Sequence, residues 1–380
     1  MKGPLIASKP ARRWIIAAGL AMVLLTKPAA ARDAKGFHHP GVFSRQQDLA
    51  GMARRVAAEP TAKTGYEQLK RSPYASLEPP STPYAVVLVA ASASNKFEAA
   101  LRGDGHAAYA MALMWVITED HRYRDKAISI LDGWAATFQE LKIQTGFAAQ
   151  IELEAAWAAP IWIAAADIIR YYDRGTAGWK PASVTAFDGF LNKLLQVARG
   201  ARTNNNNWGT SANLAMVAAA VYQDDAAAYQ EALALHKSHL ASISKKTGAL
   251  GPDYLRDPWH PQYTILTWIQ ICEIAWNQGD DLYGLSLEGQ SVPRLAICLE
   301  HFSQLFSGQL PDPAGLKVGH FKDSQKKRQG YDMAFNHFIR RKGLAAQLPA
   351  FAKMVPAWRP GGSDDHFLAW DTLTHGDLHH

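Results

Sequence analysis

Cysteine is almost absent from this chain of 380 residues, where Cys272 and Cys298 are the only two. Two thiols exclude a disulfide-stapled scaffold and any cysteine-rich metal cluster. Charge is also scarce. Charged residues make up 19% and hydrophobic ones 48%, the reverse of what a disordered chain requires. The sequence has no glycine-rich phosphate loop, no His-Glu-x-x-His, no Cys-x-x-Cys and no Gly-x-Ser-x-Gly. These gaps remove the usual signatures of nucleotide binding, zinc proteolysis, thiol redox chemistry and α/β-hydrolase function. No spacing of histidines and carboxylates supports metal ligation, so neither a metal nor a cofactor is expected. Beyond the N-terminus no stretch of about 18 apolar residues is free of charges and helix breakers, so no membrane span is expected there.

The N-terminus does carry an apolar run. Lys2, Lys9, Arg12 and Arg13 precede the uncharged stretch Trp14 to Leu25, and Ala29-Ala30-Ala31 follows it. This is the pattern of a secretory signal peptide over residues 1–31, with a periplasmic or secreted mature chain of residues 32–380. An uncleaved anchor is the alternative, but a span needs about 20 residues. Removing residues 1–31 takes away five cations and leaves 35 basic against 34 acidic side chains, a balance of +1 instead of +6. The basic excess is therefore no argument for nucleic acid, and none is expected as a partner. Cys272 and Cys298 sit in apolar helical patterns and read as buried free thiols. A pairing in an oxidising compartment is the alternative.

Almost everything after Asn95 reads as helix. Tyr123, Ala127, Ile130, Leu131, Trp134 and Phe138 repeat with a 3.6-residue period. Val184, Phe187, Phe190, Leu191, Leu194 and Leu195 do so after the helix-start residues Pro181 and Ser183. Leu295, Cys298, Leu299, Phe302 and Phe306 form another stripe. Further helices are expected near 105–118, 150–172, 209–222, 225–242, 262–277, 331–341 and 344–355. Val86-Val87-Leu88-Val89 is the only β-branched run of note and fits a strand or a helix equally. The connectors are short, such as Asp173-Arg174-Gly175 and Lys246-Thr247-Gly248, and no linker divides the mature chain. Helices recurring at hairpin spacing, one of them (150–172) apolar nearly all round, point to an all-α fold. The expected form is a single (α/α)n toroid or incomplete barrel of helical hairpins with an inner ring. The chain is expected to be a monomer.

Three segments interrupt the helical pattern with chemistry. Asn204-Asn205-Asn206-Asn207-Trp208 opens an apolar helix. One asparagine serves as a cap, and the others suit either an anion such as a carboxylate or a plain polar loop. Arg256-Asp257-Pro258-Trp259-His260 leads into a helix on which Tyr263, Thr267 and Gln270 form a polar stripe, the arrangement of a cleft wall. A surface ion pair, a capping histidine and a packed tyrosine would account for the same residues. Arg328, Tyr331 and His337 mix with aromatics in the third segment, where Phe335 and Phe338 suit a core. His106 and Tyr109, three apart, either face a groove or pack in the core.

Together these segments resemble the alginate lyase superfamily of helical-toroid polysaccharide lyases. The resemblance runs from about His39 to Gly343. It includes His39-Pro40-Gly41-Val42-Phe43, the stretch from Ala107 to Trp134, the asparagine run and Arg256-Asp257-x-x-His260. It also includes Glu273-Ile274-Ala275-Trp276-Asn277-Gln278-Gly279-Asp280-Asp281-Leu282-Tyr283, the most specific stretch. In the family a mannuronate-cleaving branch carries Asn-Asn-His before a tryptophan, then Arg and Tyr seven residues apart. Arg256 and Tyr263 have that spacing, but alignment on Trp208 puts Asn205 where that branch has histidine. Branches acting on glucuronan-like polymers carry Asn-Trp and Arg-Asp-x-x-His, matched by Asn207-Trp208 and Arg256 to His260. The chain lies between the two patterns.

The resemblance implies an acidic polysaccharide partner and cleavage by β-elimination without a metal. That reaction needs the substrate carboxylate neutralised, a base for the C5 proton and an acid for the departing O4. Asn204, Asn205, Asn206, Asn207 and Arg256 suit the first task, Tyr263 or His260 the second, and Tyr263 the third. A tyrosine of ordinary pKa about 10 needs a cation nearby to act as a base, and Arg256 is the candidate. Trp208, Trp259 and Tyr331 suit sugar stacking, and Arg328 and His337 further substrate contacts. Two alternatives stand. A glycoside hydrolase on the same toroid would need paired carboxylates, for which Glu152, Glu154, Asp253 and Asp257 are the candidates. A non-catalytic exopolysaccharide-binding protein is the other.

Overall fold

Four of the long helices start where the sequence supplies a side-chain cap. Asn95 accepts from the backbone N–H groups of Phe97 and Glu98, and Glu98 reaches back to close a capping box. Asp120, Asn206 and Asp225 open three further helices in the same way. The computed structural model describes Met1 and residues 36–378, apart from 79, 91–94, 325, 326 and 362–365. The chain divides into Met1–Lys35 and a compact unit, Gly36–His380, and it is the second that is described. Apart from Met1, the candidate signal peptide lies outside the described residues.

The described α-helices are α1 (Gln46–Ala50), α2 (Met52–Ala58), α3 (Pro60–Arg71), α4 (Lys96–Thr118), α5 (His121–Thr137), α6 (Gln150–Tyr171) and α7 (Pro181–Ala198). They continue with α8 (Asn207–Tyr222), α9 (Ala226–Ile243), α10 (His260–Asn277), α11 (Arg294–Phe306), α12 (Tyr331–Phe335), α13 (Pro349–Trp358) and α14 (Asp371–Thr374). Helix α12 runs on as a π-helix over Asn336–Arg341. The expected helix at 105–118 begins earlier, at the Asn95 cap, and the one at 344–355 splits into a 3-10 turn and α13. The valine run is a strand. Val86–Ala90 (β1) pairs in parallel with Glu140–Thr145 (β2), whose single buried residue, Leu141, gave no strand pattern in the sequence.

Helices α4, α6, α8, α10 and α12 form the inner layer, and α5, α7, α9, α11 and α13 pack outside them. The inner helices run in the same direction. Arg102 near the start of α4 pairs with Glu154 near the start of α6. Tyr171 at the end of α6 donates to the carbonyl of Tyr222 at the end of α8. Helix α9 returns antiparallel, its Tyr229 donating to Asp280 beyond the end of α10, so α10 is parallel to α8. Tyr331 at the start of α12 donates to Gln262 at the start of α10. All five amino ends therefore lie at one end of the ring.

Outer and inner layers are joined by aromatic packing. Trp134 of α5 contacts Trp162 of α6 at 5.6 Å between centroids, and Phe190 of α7 meets Trp162 edge-on at 5.2 Å. Each such buried side chain contributes about 2 kcal/mol. The opposite end of the ring is covered by residues 38–42. Asp167 accepts from the backbone N–H groups of Gly41 and Val42, and Gln278 both accepts from His38 N–H and donates to the Gly41 carbonyl. Among the described residues no helix is long and apolar enough to cross a membrane.

Candidate active site

The segment before α10 is a cap and a dyad in one. Asp257 Oδ1 accepts from the N–H groups of Trp259 and His260, while Oδ2 lies 2.5 Å from His260 Nδ1. A carboxylate only accepts, so Nδ1 carries the hydrogen and Nε2 is left for other partners. One turn on, Tyr263 is 9% exposed and its ring stands 5.7 Å from that of His260.

Tyr263 is caged by residues from three other parts of the chain. The Arg328 guanidinium lies 4.3 Å from the ring centroid, and its Nη2 donates to Tyr263 Oη at 2.6 Å. Trp157 of α6 stacks on the ring at 5.5 Å and 26°. His366 and Phe367, both from the C-terminal segment, contact it at 5.7 Å. Gln262 fixes the approach of Arg328, because its Oε1 accepts from the Arg328 backbone N–H at 3.3 Å.

The asparagine run divides by role. Asn206 is the cap of α8, its Oδ1 accepting from Trp208 and Gly209. Gly209 permits the tight entry, since a Cβ there would collide with the Asn204 carbonyl. Asn207 is buried at the start of α8, Asn204 and Trp208 are half-buried, and Asn205 is exposed, accepting from Ser242 on the outer helix α9. Trp259 is half-buried, its ring 6.1 Å from that of His260.

Several expected roles are redistributed. Arg256 is exposed, and its guanidinium makes no hydrogen bond or ion pair among the described residues, so the cation on Tyr263 is Arg328 instead. The backbone of Leu255 and Arg256 accepts from Lys317 and Val318, which lays the loop between α11 and α12 along this edge. Tyr331 is not brought to an open face. It is 3% exposed, stacked on Phe302 and edge-on to Trp358. His337 is likewise not brought to the site. It stacks on Tyr283 beyond the far end of α10, where burial pushes its pKa down to about 3. Only the Tyr263 end of the α10 polar stripe reaches the site. Thr267 donates back to the Thr264 carbonyl, and Gln270 is wholly buried. His106 and Tyr109 are buried against Trp370. Cys272 and Cys298 are buried free thiols.

Three of the four candidate hydrolase carboxylates already have partners. Glu154 is paired with buried Arg102, Asp257 holds His260, and Asp253 accepts from Thr264 while burial raises its pKa. Glu152 lies against Gly200. Sequence reasoning missed Trp157, His366 and Phe367. Trp157 looks like any other aromatic of an apolar helix, and the last two are far away in the chain. Among the described residues no group of three or more His, Cys, Asp or Glu is placed to hold a metal ion.

The caged Tyr263, the carboxylate-held His260 and the exposed Arg256 lie at the amino end of a ring of parallel inner helices. The family model described as alginate lyase matches residues 54–303, and the chain belongs to the alginate lyase family. Its substrate is accordingly an acidic polysaccharide. Among solved structures the chain is similar to alginate lyase A1-III from Sphingomonas species A1, at 15% identity and TM-score 0.62 over 83% of this chain and 92% of that one. It is similar to an alginate lyase from Bacteroides ovatus at 12% identity and TM-score 0.62, over 88% of this chain and 99% of that one. A tyrosine-to-phenylalanine variant of A1-III complexed with tetrasaccharide superposes with TM-score 0.62 at 14% identity, over 83% and 91% of the two chains. At these identities the likeness is one of fold. No curated protein sequence matches the chain.

Proposed function

We propose that the protein cleaves a uronate polymer by β-elimination at the amino ends of the inner helices, with Tyr263 as the reacting group. The observation that carries this reading is the Arg328 guanidinium, stacked on Tyr263 and donating to its Oη at 2.6 Å. As its phenolate, Tyr263 removes the C5 proton, the C4–O4 bond breaks as the C4=C5 bond forms, and the proton gained by Tyr263 Oη passes to the departing O4. Arg328 offsets the negative charge on the phenol oxygen while Tyr263 serves as base. His260, its Nδ1 held by Asp257, offers Nε2 as the second titratable group, and Asn207 and Arg256 neutralise the substrate carboxylate. Asn204, Trp208 and Trp259 line the approach, and the positive ends of α6, α8 and α10 favour an anionic chain. The experiment is ultraviolet absorbance of unsaturated uronate with purified protein on alginate, polymannuronate, polyguluronate and glucuronan. A rise on one of them supports elimination. New reducing ends without absorbance would mean hydrolysis, and binding without either would mean a polysaccharide-binding protein.

We further propose that residues 1–31 direct export, that residues 32–380 act in the periplasm or outside the cell, and that the protein works as a monomer. The charge pattern Lys2 to Arg13 ahead of Trp14–Leu25 supports export. N-terminal sequencing of the recovered protein and light scattering test these points. An intact Met1 on exported protein, or a stable dimer, would contradict them.

A further inference from the structure

Tyr263 is approached from the C-terminal end of the chain as well as from the ring. His366 and Phe367 lie beyond residue 303, where the family match ends, as does Arg328. The His366 ring stands edge-to-face on Trp157, 4.3 Å between centroids at 80°, and on Tyr263, 5.7 Å at 81°. Phe367, Leu368, Ala369 and Trp370 are buried, whereas His366 is half-buried. Of residues 366–370, His366 is the one that is not buried, and its ring lies against that of the reacting group.

The segment that carries it is built into the fold. Trp370 N–H donates to Gln329 at 2.6 Å, and Asp332 accepts from both Thr372 and Arg359. Arg55 donates to the Gly376 carbonyl, and His375 Nε2 lies 2.9 Å from the Phe43 carbonyl. Helix α14 packs so closely on α3 that a Cβ at Gly65 would come 2.5 Å from the Leu373 backbone nitrogen. A side chain carried on a segment tied to α2, α3 and α12 is held in place before substrate arrives, which discrimination between similar sugars requires.

We propose that His366 is a specificity-determining residue. Its imidazole forms one wall of the subsite that holds the sugar attacked by Tyr263, and it hydrogen-bonds that sugar's ring substituents. This inference rests on the lyase reading. Uronates in such polymers differ in the orientation of a hydroxyl or of the carboxylate, so one fixed imidazole nitrogen, Nε2, at the subsite distinguishes them where a flat aromatic wall does not. A site built to hydrogen-bond a substituent discriminates against its absence far more strongly than an apolar pocket does.

The test compares wild type with His366→Ala, His366→Gln and His366→Phe on polymannuronate, polyguluronate and glucuronan, reading kcat/KM for each polymer and Tm for each variant. The phenylalanine variant keeps a ring against Trp157 and removes the hydrogen bonds. The expected result is a change of about tenfold or more in the ratio of kcat/KM between the best and second polymer for Ala and Phe, with a smaller change for Gln. Equal loss on every polymer, tracking Tm, would mean a packing role and overturn the proposal. If wild type cleaves none of the polymers, the lyase reading fails separately. The same ratio is then read from binding, by quenching of tryptophan fluorescence with oligosaccharides of each polymer. An unchanged binding ratio across the variants overturns the proposal there too.

Discussion

Arg328 covers Tyr263 and also donates to it: the guanidinium carbon lies 4.3 Å from the ring centroid while Nη2 sits 2.6 Å from Oη. The two residues are 65 apart in sequence and meet because Gln262 holds the loop before α12 against the start of α10. Arg328→Ala is expected to lower kcat by about 100-fold, the scale of losing one donor to developing charge, with a smaller effect on KM. Arg328→Lys keeps the charge but neither the planar stack nor the fixed fork, and recovers only part of the rate. Steady-state kinetics on the cleaved polymer check this. A loss confined to KM would make Arg328 a binding residue only.

Asp257 has two functions that one substitution separates. Asp257→Asn keeps an oxygen for the N–H groups of Trp259 and His260 but no longer holds Nδ1 as a charged acceptor. It is expected to change the pH profile of kcat while leaving Tm within a few degrees. Asp257→Ala also removes the cap and costs about 1 kcal/mol of stability. If Asn and Ala alter the pH profile equally and His260→Ala does nothing, the dyad has no catalytic part.

The buried pair Arg102–Glu154 joins α4 to α6, both side chains almost wholly covered. Glu154→Gln leaves the arginine charge without its carboxylate in the interior and is expected to cost about 3–5 kcal/mol. Replacing both by apolar residues of similar size costs less than either single change. Denaturant titration of the single and double variants measures the difference, and additive losses would contradict the pairing.

Buried histidines give the fold an acid sensitivity of defined sign. Burial pushes His236 down to about 3 and His375 down to about 4. An unfolded histidine titrates near 6.5, so between these values the unfolded chain binds the extra proton and stability falls as pH drops. Asp371, raised to about 7 by burial and by Asp332, works in the opposite direction. The clean measurement is therefore a difference. The stability advantage of wild type over His236→Gln should shrink by about 2 kcal/mol between pH 7 and pH 5. A constant difference would mean that His236 is not held neutral.

Much of the ring was legible because its period is local. Helices expected at 150–172, 209–222 and 262–277 are observed as Gln150–Tyr171, Asn207–Tyr222 and His260–Asn277. The alternation of apolar residues and the caps that end it need no information from elsewhere in the chain. Strand β2 was not legible, since its residues are nearly all exposed and it exists through its pairing with β1. The same distinction applies to the site. Asp257 and His260 are near neighbours and could be read from spacing, whereas the partners of Tyr263 come from α6, the loop before α12 and the C-terminal segment. Spacing along the chain makes Arg256 a candidate for the cation on Tyr263, but the cation that reaches the ring is Arg328.

The central claim is that Tyr263 performs the chemistry, and the most direct measurement is the rate of unsaturated product formation by Tyr263→Phe beside wild type, with polymer binding measured on both. The account predicts that the variant binds polymer as well as wild type does and forms product at least about 1,000-fold more slowly. Cleavage persisting in Tyr263→Phe and lost in His260→Ala would contradict it and assign the reaction to the histidine.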